Sequence, residues 1–194
     1  MSIRFATEAD LSRILQIYAP YVENTAVSFE YTVPTLEVFT ARFRAITAQY
    51  PWLVWEEDGR VLGYAYGSAP FERAAFSWCC ESSIYLDPVC HGRGIGRKLQ
   101  TALEALMRLQ GYRLLYALVT TDNPASIAFH QALGFSRLAD FPGCGWKLDG
   151  WHGIVWLEKQ LNSPGKPKKP PLPIADIVDS NQKLSVILDK LSLF

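Results

Sequence analysis

The chain has 194 residues, 49% hydrophobic and 13% aromatic, which is enough apolar material for one ordinary domain, with or without a tail, and too much for a disordered chain. Lys plus Arg number 19 and Asp plus Glu number 19, so no cation excess points to nucleic acid, although a local basic pocket for a small phosphorylated ligand stays open. No apolar run nears the roughly 18 residues of a membrane span, the N-terminus lacks the basic-then-apolar order of a secretory signal, and the four cysteines form no C-x-x-C pair, so zinc and disulfide scaffolds are disfavoured and a reduced cytoplasmic protein is expected.

Ser2 to Phe5 reads as a short strand. Thr7-Glu8-Ala9-Asp10 resembles a capping box with Thr7 as N-cap, and Leu11, Ile14, Leu15 and Tyr18 follow at helical spacing to about residue 23. Ser28 to Tyr31 reads as extended. Pro34-Thr35 opens a second helix whose apolar face carries Phe39, Phe43 and Ile46. Trp52 to Trp55 and Val61 to Tyr66 alternate as strands about Asp58-Gly59, a hairpin signal. A longer strand is predicted over Phe76 to Leu86, then a helix over Gly94 to Gln110 with Leu99, Leu103, Leu106 and Met107 on one face. Tyr112 to Thr120 follows as a strand. Asn123-Pro124 starts a helix that ends before Gly134-Phe135, and strands near Arg137 to Trp146 and Ile154 to Glu158 close the domain. The order is mixed α/β without internal repeats.

After Leu161 the composition changes. Ser163 to Pro173 holds five prolines and three lysines, the mark of an extended linker. Beyond it, Leu184, Ile187, Leu188 and Leu191 fit an amphipathic helix, which would pack on its own domain, on a sister subunit, or on a partner or membrane surface. The expected division is a domain over 1–161, a linker over 162–173 and a short extension over 174–194. Every chemistry-bearing motif precedes Ser163, so the tail is expected to stay out of the chemistry.

His91-Gly92-Arg93-Gly94-Ile95-Gly96 follows a strand and opens a helix. Glycines let the backbone come close to a ligand, and the free N–H groups of a helix start favour an anion such as a pyrophosphate. Arg93 and Arg97 can add charge. A tight turn alone would also use these glycines. A Walker loop is excluded because Gly-Lys-Ser/Thr is absent, and a dinucleotide fingerprint because the spacing is G-x-G-x-G.

Glu81-Ser82-Ser83-Ile84-Tyr85-Leu86, the glycine turn, Asn123-Pro124-Ala125-Ser126 and His130-Gln131-Ala132-Leu133-Gly134-Phe135 together resemble the GNAT acetyltransferase superfamily over residues 1 to about 161. The family motif Gln/Arg-x-x-Gly-x-Gly/Ala maps to His91-x-x-Gly94-x-Gly96, with His91 as a departure. A narrower resemblance is to the phosphinothricin and methionine sulfoximine N-acetyltransferases. It is carried by Ile17-Tyr18, Tyr21-Val22-Glu23-Asn24-Thr25, Ser28-Phe29-Glu30, Arg73 with Phe76, Glu81-Ser82, His130 and Gly145-x-Lys147-x-x-x-Trp151. Phe76 stands where Tyr is common, and Gly153 where Trp-x-Asp would put an acid.

The resemblance implies a GNAT α/β fold, an α+β arrangement of helices flanking a mixed, mostly antiparallel sheet that splays between strands ending near Leu86 and Val119. It implies acetyl transfer from acetyl-CoA to the primary amine of a small amino-acid-like molecule, with no metal, no nucleic-acid or membrane partner, and a homodimer. The cofactor-binding set would be Leu86, His91, Gly92, Arg93, Gly94, Ile95, Gly96, Arg97, Asn123 and Ser126. An ammonium must lose a proton before it attacks a thioester, and Glu81 is placed to take it. N–H groups near Leu86 would hold the acetyl carbonyl as it becomes an oxyanion. His130, where many relatives carry Tyr, is a candidate acid or second base, or a packed helix histidine. Glu81 could instead be a strand carboxylate paired to Arg73. Phe29, Glu30, Arg73 and Phe76 form the substrate set: Arg73 for a carboxylate or phosphinate, Phe29 and Phe76 with Trp78 as walls or as core. The alternatives are acetylation of a peptide or protein amine, and an acyl-CoA-binding module without catalysis.

Overall fold

The computed structural model describes residues 1–166 and 169–180. A single 7-stranded sheet runs in the order β1-β2-β3-β4-β5-β7-β6. In chain order the elements are β1 (Ser2–Phe5), α1 (Leu11–Asn24), α2 (Leu36–Thr47), β2 (Trp52–Glu57), β3 (Arg60–Ser68), β4 (Cys79–Leu86), α3 (Ile95–Gln110), β5 (Leu114–Thr120), α4 (Pro124–Ala132), β6 (Ser136–Lys147), β7 (Gly150–Gln160) and α5 (Ile174–Ser180). All pairings are antiparallel except β4 with β5. No helix among the described residues is long and apolar enough to cross a membrane.

Thr7 caps a 3-10 turn, Glu8–Asp10, that leads into α1: the Thr7 N–H donates to the Asp10 carboxylate at 2.8 Å. Arg4 holds that carboxylate from the neighbouring strand, with two bonds of 2.8 Å. Thr35 caps α2 by accepting from the Val38 N–H at 3.3 Å.

Strand alternation gives the sheet two apolar faces. On one, Leu53, Trp55, Ala65, Cys80, Leu115 and Leu157 meet Leu99, Leu103, Leu106 and Met107 of α3. On the other, Trp52, Val54 and Tyr64 meet Leu11, Ile14, Ile17 and Tyr18 of α1 and Phe39 and Phe43 of α2. Each fully buried side chain of this size contributes about 1.5–3 kcal/mol.

Several elements differ from the sequence reading. Ser28 to Tyr31 finds no strand partner and stays a loop. Ala74–Phe76 forms a 3-10 turn, so β4 begins only at Cys79. β7 begins at Gly150 because a two-residue turn, Leu148 and Asp149 at φ +49° and +57°, brings it straight back onto β6.

Among the described residues between Leu161 and α5 there is no helix or strand. The segment nevertheless bonds to the domain: Leu172 N–H to Gln110 O at 2.8 Å, and Ile174 N–H to Gln49 O at 3.1 Å. Ile174 and Ile177 complete the α3-side core. The periodic Leu184, Ile187, Leu188 and Leu191 lie outside the described residues.

Candidate active site

β4 and β5 pair only over Cys79–Glu81 against Leu114–Tyr116 and then part. A cavity of about 450 Å³ opens between them, with Leu86 on one wall and Val119 on the other. At its mouth lies the glycine turn. Gly92 and Gly94 both sit at φ +77°, and a Cβ on either would meet no protein atom within 4 Å. The left-handed backbone explains the glycines, and the open space in front of them explains how a ligand could reach the chain. The first intrahelical bond of α3 runs from Lys98 N–H to Gly94 O at 3.2 Å, so the N–H groups of Ile95, Gly96 and Arg97 precede the ladder and face an anion-favouring end.

His91, Gly92, Gly94, Ile95, Gly96 and Arg97 line the cavity. The Arg93 guanidinium does not, because it grips both Glu57 carboxylate oxygens at 2.9 and 2.7 Å. Charge from the Arg93 side chain is therefore spent on β2, and only its backbone belongs to the turn. The His91 ring meets Tyr21. The Tyr21 hydroxyl donates to Leu86 O at 2.6 Å and accepts from His91 Nε2 at 3.1 Å. Tyr21 thus ties α1 to both the strand end and the turn.

The opposite wall is α4. Asn123 caps it by accepting from the Ser126 N–H at 3.1 Å. His130 Nδ1 stands 2.8 Å from Ser126 O. A carbonyl only accepts, so Nδ1 carries the hydrogen and Nε2 the lone pair. The residue is 2% exposed, its Nε2 has no hydrogen-bond partner among the described residues, and burial lowers its pKa. A neutral imidazole with an idle buried acceptor therefore lines the cavity. In this tautomer His130 accepts a proton and cannot give one from Nε2.

Glu81 lies on β4 opposite Ser68 of β3 and Tyr116 of β5. The β3–β4 register is unbroken, so Glu81, Ser83 and Tyr85 share the α1/α2 face. Burial alone pushes its carboxyl up to about 7. Among the described residues no cation pairs with it, and Arg73 in particular does not. Ser82, the next residue, lines the cavity.

The four substrate candidates fall into two groups. Arg73 and Phe76 line a second cavity of about 320 Å³ with Phe71, Cys79 and, from the C-terminal segment, Pro170 and Pro171. Phe29 and Glu30 lie elsewhere, on the loop after α1. Glu30 pairs with Arg42 at 2.6 Å. The Phe29 ring fills the space above Gly145, where a Cβ would come within 2.3 Å of it. Trp78 donates to Lys169 O at 3.4 Å.

Sequence reasoning gave no role to Lys147 beyond its place in a motif. It is 4% exposed, and its ammonium donates to Val22 O and Ser28 O, each at 2.6 Å. It pins the loop that carries Phe29 and Glu30, and burial lowers its pKa. The missing acid at 153 also has a steric reason: a Cβ there would approach Phe141 O to 3.0 Å and Thr121 Cγ2 to 3.1 Å.

The family described as Acetyltransferase (GNAT) domain matches residues 3–156. A phosphinothricin N-acetyltransferase from Streptomyces viridochromogenes is 30% identical over 177 residues, covering 91% of this chain and 96% of that protein. An L-methionine sulfoximine/L-methionine sulfone acetyltransferase from Pseudomonas paraeruginosa is 38% identical over 165 residues, 83% of this chain and 95% of its own. Among solved structures, a GNAT superfamily phosphinothricin acetyltransferase from Sinorhizobium meliloti in complex with acetyl-CoA superposes with a TM-score of 0.85 at 35% identity, covering 89% of this chain and 96% of that one.

Proposed function

The chain belongs to the GNAT acetyltransferase family, and we propose that it moves an acetyl group from acetyl-CoA to the primary amine of a small amino-acid-like molecule of the phosphinothricin or methionine sulfoximine type. The observation that carries this reading is the cavity between β4 and β5, with a glycine turn at its mouth and, next to the lining residue Ser82, a half-buried carboxyl that has no ion-pair partner among the described residues. The residues fit acetyl-CoA. The turn leaves room in front of Gly92 and Gly94, the N–H groups of Ile95 to Arg97 suit the pyrophosphate, and the idle His130 Nε2 offers an acceptor inside the cavity.

When bound, acetyl-CoA supplies an acetyl thioester, and the chain's own groups do the rest. Glu81, with its carboxyl raised to about 7, takes a proton from the substrate ammonium near neutral pH. The freed amine forms the C–N bond as the C–S bond breaks, and the second proton on its nitrogen passes, directly or by way of His130 Nε2, to the departing thiolate. His130, neutral with its lone pair on Nε2, serves as a second acceptor. Arg73 is a cation for a substrate carboxylate or phosphinate, and Phe76 lies in the same cavity.

The reading extends to a homodimer in the cytoplasm. The β6–β7 hairpin exposes Trp146, Leu148 and Trp151, an apolar patch suited to a second copy. The cysteines are free thiols, as a reducing compartment keeps them.

The test is coenzyme A release with acetyl-CoA and an amine panel containing phosphinothricin, methionine sulfoximine, ordinary amino acids and a peptide. Selective turnover of the first two supports the reading. Turnover of the peptide alone moves the activity to protein amines. Acetyl-CoA binding without any turnover leaves an acyl-CoA-binding module.

A further inference from the structure

The structure assigns His152 a positioning role: through the tip of the β6–β7 hairpin it braces the two walls of the acetyl-CoA cleft against each other. This rests on the acetyl-CoA reading of that cleft. The His152 ring has both nitrogens engaged. Nε2 stands 2.7 Å from Lys147 O, and Nδ1 is paired with the Asp122 carboxylate. Both partners only accept, so both nitrogens carry hydrogen and the ring is an imidazolium.

Each partner leads to one wall. Asp122 adjoins Asn123, the cap of α4, whose Asn123, Ser126 and His130 line the cleft. Lys147 reaches the other side, where its ammonium holds Val22 O and Ser28 O around Tyr21 and Val27, which line the facing wall. The path from one wall to the other is therefore Val22 and Ser28, Lys147, His152, Asp122, α4. The turn that brings Lys147 and His152 together holds Leu148 and Asp149 in left-handed conformations, which persist where surrounding contacts over-determine them.

The charged groups facing His152 are Asp122 from the β5–α4 junction, which favours the imidazolium, and Lys147 from β6, which opposes it. The bond from its Nε2 to Lys147 O and the carboxylate of Asp122 together raise its pKa. As pH climbs through that raised value, the ring loses one of its two hydrogens, one of the two bonds gives way, and the brace between the walls opens.

The test compares wild type, His152→Ala, His152→Asn and Asp122→Asn by acetyl-CoA calorimetry, by turnover, and by hydrogen exchange of the ligand-free proteins. His152→Ala is expected to weaken acetyl-CoA about tenfold while turnover at saturation stays within about threefold. His152→Asn, with one donor left for Asp122, should restore part of the loss. Wild-type affinity divided by that of His152→Ala should fall from about pH 6 to about pH 9, and this ratio cancels the ligand's own titration. Amides near residues 22–28 and 121–126 should exchange faster together in His152→Ala. Unchanged affinity in folded His152→Ala, a turnover loss as large as the affinity loss, or exchange rising at one wall alone would overturn the brace. If His152→Ala does not fold, Asp122→Asn decides by the same measures, since it leaves the hairpin pairing untouched. Wild type that binds no acetyl-CoA overturns the functional reading, and the exchange data still judge the brace.

Discussion

The lower and upper halves of the β4–β5 pair do different work with the same two strands. Below, Cys79–Glu81 pair with Leu114–Tyr116, and the half-buried Glu81 is poorly solvated there, which raises its carboxyl to about 7. Above, the strands part, and the site is made of backbone: a positive-φ turn, the first N–H groups of α3 and open space. One half tunes a side chain by enclosing it, and the other offers main chain by opening. Damage to the two halves should therefore appear in different measurements.

The largest expected effect is on the lower half. Glu81→Gln keeps shape and hydrogen bonding but removes basicity, so turnover at pH 7 should fall by about 10²–10⁴, with acetyl-CoA affinity by calorimetry nearly unchanged. The loss should shrink at high pH, where more amine arrives deprotonated. Parent-like turnover would move the base to His130, and a collapse of acetyl-CoA binding would make Glu81 structural.

The same substitution should act on stability with the opposite sign. A carboxyl whose folded pKa lies near 7, above the ordinary 4.5, binds its proton more tightly in the folded state. Its contribution is fully present below about 4.5, declines as pH rises toward about 7 and is lost above that. Urea titrations should show the parent losing up to about 3 kcal/mol relative to Glu81→Gln across that window. A constant difference would mean that the carboxyl is not held out of water.

Gly94→Val tests the upper half. The φ of +77° costs a branched residue about 1–2 kcal/mol or more, and the side chain would enter the space proposed for phosphate. Acetyl-CoA affinity should weaken by about ten- to a hundredfold in a folded protein, and unchanged affinity would put the pyrophosphate elsewhere. The smallest effect belongs to Arg93→Ala. Its guanidinium is engaged with Glu57 on the far side of the turn, so affinity should change less than about threefold. A loss beyond tenfold would show that Arg93 swings into the site on binding.

The glycine turn of the upper half was the more legible in sequence, because three alternating glycines stand together at a strand-to-helix junction. The position of Glu81 on its strand followed from alternation, whereas its lack of a partner did not: Arg73 is close in sequence and was a reasonable mate, but the 3-10 turn at Ala74–Phe76 separates them. The hairpin at 147–150 escaped although Asp149-Gly150 repeats the Asp-Gly signal of Asp58-Gly59: the turn here sits one position earlier, at Leu148 and Asp149, and Gly150 already pairs with Lys147. Lys147 and His152 could not be read at all. Their partners are backbone carbonyls and a carboxylate, some of them more than a hundred residues away in sequence, and such contacts leave no local pattern.

The C-terminal segment carries a consequence for how the molecule is made. Gln49, from the first third of the chain, reaches Leu172 O at 3.2 Å across 123 positions, and Ile174 and Ile177 fill the core beneath α3. A growing polypeptide can assemble the sheet and its helices before that point, yet the α3-side core stays unsealed until residue 177 has been synthesised. The nascent domain thus passes through a stage with its secondary structure in place and one apolar seam uncovered, the kind of species that recruits chaperones or aggregates.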